Sequence, residues 1–546
     1  MILSSLYRVA CILAACAGPL ASPGGAAEAS LWKVTPQPPA SWQRDRVTDL
    51  SARRKAAMEQ IGERGVLILY AAEPRNYAND IDWPFRQEND FFYLTGLTQP
   101  GATLVLAPGA AKIREMVFVP KPAPSRETWT GHMISQAEAR DLSGIRDVFE
   151  AGQLNAFLSV LIPRARSVLL PPGDADAGGR GGRGSSAGNT GQAAGGVDWG
   201  VEFEQPIKLA GKQELELYLI LPAGPSAVEY RREREFAGKI ASTGAGVAIK
   251  DGTAMFSALR RVKSQREIDI LQHAAAITAE AFQRAYALAA PGTWEYEVQA
   301  QFEYTFLRRN AHWGYPCIVG SGVNATTLHY ESNKDQMHDG DLLLMDDAAE
   351  FDQYSVDVTR TIPVNGKYTR EQAEIYRLVW AAQQAGIKAA LSGHTSSGDK
   401  DSIQGAANEV LKQGLLKLGL ITDATSDRQM RVWSIHGISH GIGLNVHDPG
   451  GPELQPGMVV TVEPGLYFRP DVLDNLPKTE ENEKFVEAVK PAFEKYKGIG
   501  IRIEDDVLIT TAGPKVISAA IPSKLEDVEA EIARLRQAVK TSSLPQ

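Results

Sequence analysis

The stretch HGISHGIGLNVHDPGG, residues 436–451, decides how the rest of the chain is read. It holds His436, His440 and His447, three of the nine histidines in 546 residues, within 12 positions. Gly437, Gly441 and Gly443 lie between them, and glycine at that density disfavours a regular helix. An irregular loop whose backbone passes close to a ligand fits better. The plain alternative is a group of core or surface histidines. Gly437-Ile438-Ser439-His440-Gly441 also matches the G-x-S-x-G elbow of serine hydrolases. That elbow needs a strand before it, a helix after it and an acid–histidine pair further on. Only His447 follows, eight residues after Ser439, so Ser439 is not read as a nucleophile.

Candidate partners for these imidazoles lie on both sides. In LLLMDDAAE (342–350) an apolar run leads into Asp346. In QYSVDVTRT (353–361) Tyr354, Val356 and Val358 alternate with Ser355, Asp357 and Thr359, so period two puts Asp357 on the face opposite the valines. If residues 348–353 turn the chain, the two segments pair antiparallel and their carboxylates converge. Downstream, Glu463 ends the apolar strand MVVTV (458–462), and Arg502 and Glu504 share one face of GIRIEDDVLIT (500–510). Taken singly, these are ordinary strand-end charges held by backbone N–H groups or ion pairs. Taken together, Asp346, Asp357, His440, Glu463 and Glu504 form a mainly oxygen donor set. Such a set suits a pair of divalent ions such as Mn²⁺ better than a thiolate-rich zinc site. A metal pair can activate water near neutral pH, and a two-metal hydrolase is the leading reading.

The length allows roughly two to four domains. Hydrophobic residues at 43% supply ample core, and a net charge of −9 argues against a nucleic-acid partner. Arg8 and the apolar run Val9–Leu20 read as an export signal, too short for a membrane span. Ala27-Glu28-Ala29 is the cleavage candidate, so residues 1–29 are the expected signal peptide. The rival is a lipoprotein box, Leu13-Ala14-Ala15-Cys16, with a lipid on Cys16. Either version predicts an exported protein, periplasmic or secreted. Cys317 is then the one remaining thiol, which excludes an intrachain disulfide and reads as a small buried hydrophobe.

After a polar lead, GVLILY (65–70), ATLVLA (102–107), EMVFVP (115–120) and SVLLP (167–171) have the length and composition of strands. Helix-like stretches such as 50–62 and 136–144 separate them, which predicts a mixed α/β domain over 30–255. Residues 172–200 are Gly/Ser/Ala-rich and are expected to be a mobile surface loop; their RGGRG core is one copy on an acidic chain and carries no nucleic-acid reading. From Arg266 a helix runs to Pro291-Gly292. The helix–break–helix pattern of 266–311 returns at 384–420, each time followed by strand-rich sequence. This points to an internally duplicated domain over 256–525, with residues 526–546 left as a helical tail.

Read jointly, LHY (328–330), MDDAAE (345–350), SVDVTRTIPVNGKYT (355–369), HGISHGIGLNVHDPGG (436–451), VEPGLY (462–467) and GIRIEDDVLIT (500–510) resemble the catalytic domain of the aminopeptidase P and prolidase family, the pita-bread metallopeptidases. DWPFRQENDFFYLTGLTQPGATLVLAP (82–108) and RETWTGHMIS (126–135) resemble the non-catalytic N-terminal domain of the same enzymes. The resemblance implies an α/β (α+β) chain: an N-terminal mixed α/β domain, then a pita-bread domain with pseudo-two-fold internal duplication. It implies two divalent ions, Mn²⁺ first with Co²⁺ or Zn²⁺ as alternatives, held by Asp346, Asp357, His440, Glu463 and Glu504, with Asp357 and Glu504 bridging. Glu463 would also take the proton of the attacking water. His329, His436 and His447 would orient substrate and stabilise the tetrahedral intermediate, and Arg502 would support Glu504.

The implied substrates are peptides with proline at position two, cleaved before the proline. The rivals are a prolidase, which takes only Xaa-Pro dipeptides, and a non-enzymatic peptide- or protein-binding relative. A homo-oligomer, dimer or tetramer, is expected, with no transmembrane span. One departure stands out: where the family has a small residue after the first aspartate, this chain has Asp347. Period two sends it away from Asp346, and it is the alternative ligand to keep in view.

Overall fold

A computed structural model describes residues 32–169, 197–224 and 229–541. The expected export signal, Cys16 included, and most of the glycine-rich insert lie outside the described residues. Among those described, no helix is long and apolar enough to cross a membrane.

The first domain is built on a six-stranded sheet. Its order is Asp147–Glu150, Glu115–Val119, Thr103–Leu106, Gly65–Tyr70, Glu216–Leu219 and Ala248–Asp251. Thr103–Leu106 runs antiparallel to both neighbours, and the outer pairs are parallel. The continuous apolar run GVLILY is a central strand buried on both faces, as such runs require. Leu67 and Leu69 enter one core, which also holds Phe91 and Leu104, while Val66 and Ile68 enter another with Phe118 and Trp199.

Three expectations fail in instructive ways. SVLLP has strand composition, but Arg166–Leu169 is a turn of helix following Pro163–Ala165. A short apolar run does not by itself distinguish strand from buried helix. The predicted loop was drawn through residue 200. Instead Asp198 caps a helical turn, Trp199–Glu202, and Trp199 is buried against Phe149 and Phe157. The aromatic side chain, not the flanking glycines, sets that boundary. The polar lead was assigned to the first domain, yet it lies on the second: the Thr35 N–H donates to Glu280 at 2.9 Å.

The second domain shows its duplication directly. Helices Gln265–Leu288 and Glu295–Arg308 precede the sheet Ile318–Ser321, Leu342–Asp346, Thr359–Pro363. Helices Arg370–Ala389 and Ile403–Leu418 precede the sheet Val459–Val462, Asp505–Thr510, Gly513–Val516. Ser264 with Glu267, and Thr369 with Gln372, form capping boxes at the first helix of each half, so both starts are written locally.

The halves are stitched along one seam. The Glu504 N–H donates to the Thr359 carbonyl at 3.0 Å, the Thr361 hydroxyl to the Arg502 carbonyl at 2.9 Å, and Arg360 pairs with Asp505 at 2.7 Å. The expected helical tail is no appendage. Leu525–Thr541 buries Val528, Ile532 and Leu535 in the core that holds Phe282 and Tyr286 of the first helix.

The domains meet over a shared apolar cluster, in which Phe91 and Phe92 join Val356, Ile442 and Leu444, and over polar contacts. Arg53 reaches the Tyr354 hydroxyl at 3.0 Å, and Asp90 pairs with Arg260 at 2.8 Å. Beside this pair, Glu88 caps Asn89–Thr95 by accepting the Phe91 N–H at 2.7 Å, and accepts the Tyr230 hydroxyl at 2.9 Å. Burial, followed by the nearby Asp90 charge, pushes its carboxyl up to about 7 from 4.5. An acid with a raised folded pKa holds a proton that the unfolded chain releases, so its contribution is fullest below about 4.5 and is lost as pH rises to about 7. In Glu88→Gln the thermal midpoint should therefore gain on the parent's as pH rises across that window. A gap between the two that stays constant from pH 4 to 8 would count against this assignment.

Candidate metal centre

The seam between the halves carries the predicted donors. Asp346 ends the strand Leu342–Asp346, and Asp357 precedes Thr359–Pro363, the strand paired antiparallel with it. The turn between them is longer than residues 348–353: Ala349–Phe351 and Tyr354–Ser355 form a separate hairpin that also pairs with His312–Trp313. From the second half, Glu463 follows Val459–Val462, and Glu504 lies between Gly500–Arg502 and Asp505–Thr510. His440 comes from the irregular loop, which is threaded through the sheet by the Ile442 N–H to Val459 and the Thr461 N–H to the His440 carbonyl.

All five donors line one cavity of about 430 Å³, together with His329, His436, His447 and Arg502. Oxygen or nitrogen atoms of Asp357, His440 and Glu504 lie within 4.8 Å of one another. His440 Nε2 is 3.5 Å from an Asp357 oxygen and 3.4 Å from a Glu463 oxygen. Its Nδ1 sits 3.0 Å from the Gly441 carbonyl; when Nδ1 carries the ring proton, the Nε2 lone pair is free for a cation. A lone pair aimed at anions is stable when a cation lies between them.

The electrostatics say the same. Burial, reinforced by mutual repulsion, pushes the carboxyls of Asp357, Glu463 and Glu504 well above the usual range. Glu504 Oε1 is buried with no hydrogen-bond partner. A buried carboxylate cluster needs cations to stay charged. The oxygen-rich set with one imidazole fits divalent metal ions.

Around the donors runs a directed hydrogen-bond chain. Arg502 reaches Asp346 and also donates to the Thr359 hydroxyl at 3.0 Å; Thr359 in turn donates to Glu504 at 2.7 Å. The arginine was expected beside Glu504 itself. Its hydrogen-bonded carboxylate partner is Asp346; it reaches Glu504 through the Thr359 hydroxyl and through its charge, which favours the ionised carboxylate. The guanidinium also donates to the Tyr467 hydroxyl at 2.9 Å, which donates to His436 Nε2 at 2.8 Å, leaving Nδ1 for the Gly437 carbonyl at 2.6 Å. Burial, aided by Arg502, holds His436 down at about 4, so its ring is neutral at physiological pH. His447 stacks edge-on to His440, ring centres 4.2 Å apart, and is lowered by burial and by the neighbouring histidines.

Four contributors escaped the sequence reading. The Tyr315 hydroxyl lies 2.7 Å from Asp346 and 2.6 Å from Asp357. Asp506 accepts the Asp357 backbone N–H at 3.0 Å. Thr359 and Tyr467 complete the chain just described. Thr359 shares the alternating face of Asp357, so its signal was present; nothing local marks the two tyrosines or Asp506. Asp347 faces away from the cavity and is buried beside the Cys317 thiol, whose pKa burial pushes up. Ser439 has a buried hydroxyl with no hydrogen-bond partner and thus no base.

The pattern of metallopeptidase family M24 matches residues 269–511, and that of the aminopeptidase P N-terminal domain matches residues 50–170. The Xaa-Pro aminopeptidase of Haemophilus influenzae is 30% identical over 495 residues, spanning 88% of this chain and 96% of its own. That of Escherichia coli is 30% identical over 501 residues, spanning 90% and 98%. The solved structure of Pseudomonas aeruginosa aminopeptidase PepP superposes with a TM-score of 0.70 at 30% identity, covering 90% of this chain and 98% of that one. Fold and site thus define an M24 metallopeptidase, and the chain belongs to the Xaa-Pro aminopeptidase (aminopeptidase P) family.

Tyr315→Phe removes one hydroxyl that steadies two donors. Loss of such an outer partner typically costs about 10–100-fold in metal affinity, and that fall should appear in calorimetric metal titration. Unchanged affinity would mean that the aspartates hold their places without it.

Proposed function

We propose that this chain is a dinuclear metalloaminopeptidase that releases the first residue from peptides with proline second. The observation that carries the reading is the convergence of Asp346, Asp357, His440, Glu463 and Glu504 on one cavity, with His440 Nε2 3.5 Å from Asp357 and 3.4 Å from Glu463. These five residues would hold two divalent ions, and the oxygen-rich set favours Mn²⁺. The metals, when bound, supply water made nucleophilic near neutral pH.

The protein's own groups do the rest. Glu463 is placed to take a proton at its carboxylate. His436, His447 and His329 line the cavity as hydrogen-bond partners for the substrate carbonyl and the departing proline nitrogen. Arg502 keeps Asp346 and, through Thr359, Glu504 in place. Pro316, Ile318 and Leu328 give the cavity an apolar side suited to a pyrrolidine ring. An Xaa-Pro bond has no N–H, so a site built on metals and histidines loses nothing against it. The N-terminal sequence supports export to the periplasm or outside the cell, and a homo-oligomer is the proposed assembly.

Ala-Pro-Ala and Ala-Pro, each incubated with Mn²⁺-loaded protein, test the proposal. Alanine released from the tripeptide and abolished by chelator is the expected result. Release from the dipeptide alone would make the enzyme a prolidase, and release from neither, across several metals, would favour a binding role. Asp357→Asn should abolish turnover and reduce bound metal as read by elemental analysis. Near-normal metal content and turnover in that variant would refute its place in the centre.

A further inference from the structure

The loop that carries His447 is held from the other domain. Arg86 donates to the Leu444 carbonyl at 2.6 Å, and Asn89 donates from Nδ2 to Asn445 Oδ1 at 2.6 Å. Among the described residues, these are the hydrogen bonds that join Leu444–Val446 to anything outside the loop. Asp448, next to His447, accepts the Asn445 N–H at 3.2 Å and pairs with Lys263 at 3.0 Å and with Arg260. Arg260 in turn binds Asp90 at 2.8 Å. Three residues within a five-residue segment of the first domain, Arg86, Asn89 and Asp90, therefore converge on residues 444–448.

Packing around the loop comes from both domains: Ile442, Tyr354 and Val356 of its own domain lie in the same buried cluster as Leu444. Leu444 belongs to a buried cluster that also contains Phe91 and Phe92 of the first domain. Beside the loop lies a cavity of about 260 Å³, bounded by Arg86, Gly314, Glu350 and the loop. It shares Val446 and His447 with the metal cavity. The loop therefore rests on packing shared between the domains, while the hydrogen bonds that tie Leu444–Val446 beyond the loop run to the first domain.

We propose that Arg86 and Asn89, with Asp90 acting through Arg260 and Asp448, are positioning residues for His447, so that the N-terminal domain sets the imidazole over the metal centre. The inference rests on the reading above in which His447 contacts substrate. Misplacement of a reacting group by about 1 Å can cost up to a hundredfold in rate. The cost here falls on turnover and not on metal binding, because neither anchor touches a metal donor.

The test uses the outer anchors. Arg86 has a side chain 40% exposed, whereas changes at Asp90 or Arg260 would strand a buried charge and endanger folding. Arg86→Ala/Asn89→Ala, made in the full metal-loaded protein, should lower kcat on Ala-Pro-Ala about tenfold with metal content unchanged, and Arg86→Lys should recover part of the loss. In a His447→Ala background the same pair should cost nothing further. Independently of substrate, hydrogen exchange should quicken in residues 442–449 and stay unchanged in 459–467. An equal loss in both backgrounds, or unaltered exchange at 442–449, would overturn the proposal. Full turnover in His447→Ala alone would instead overturn the catalytic reading of that histidine, while exchange still decides whether the first domain anchors the loop.

Discussion

Carboxylates placed a few ångströms apart repel one another, and burial strengthens the repulsion because little water screens it. Asp346, Asp357 and Glu504 are all nearly inaccessible, and Glu463 lines the same cavity. Arg502 meets that charge at one edge by binding Asp346. Divalent cations are what the remaining donors are arranged for. The seam, the tyrosines and the threonine relay are consequences of having to hold such a cluster still. Each donor oxygen must be aimed by a neighbour, since left alone it would turn toward water or take up a proton.

The pseudo-two-fold architecture answers that need economically. Each half brings a helix pair and a small sheet, and Thr359 and Thr361 of the first sheet hydrogen-bond to Glu504 and Arg502 of the second half. Asp346 and Asp357 come from the first half, His440, Glu463 and Glu504 from the second. A site built across a seam of paired backbone inherits the stiffness of both sheets. The glycine-rich loop is the exception. Its irregular backbone delivers His436, His440 and His447 to three places around one cavity, and it gains rigidity from sheet hydrogen bonds at one end and from the first domain at the other.

Much of this was legible in the sequence, for a physical reason. Long helices carry their own signals: Ser264 with Glu267 and Thr369 with Gln372 mark starts that need no distant partner, although in the second repeat the helical pattern is read only from residue 384, inside Arg370–Ala389. Alternation picked out Val356 and Val358 as buried, although residues 356–358, with Asp357, run between two short strands and not within one. Where the signal was short and apolar the reading failed, as at SVLLP, because helix and strand bury such runs equally well. Trp199 and the helix Leu525–Thr541 were underestimated because glycine-rich flanks and chain termini suggest looseness, whereas a large aromatic or an apolar helix face finds a core if one lies nearby.

By itself, the sequence determined the candidate chemistry: an oxygen-rich candidate ligand set with one imidazole, a histidine cluster on an irregular loop, a mixed α/β first domain and a duplicated second. Those follow from residue type and local period. Only the tertiary structure decided which groups act on which. Arg502 binds Asp346 across 156 residues, and its hydrogen bonds reach its near neighbour Glu504 through Thr359. Tyr315 gathers two aspartates, and Arg86 grips a carbonyl 358 residues away. Contacts of that range depend on how strands and domains cross in space, and no local period of the chain records a crossing.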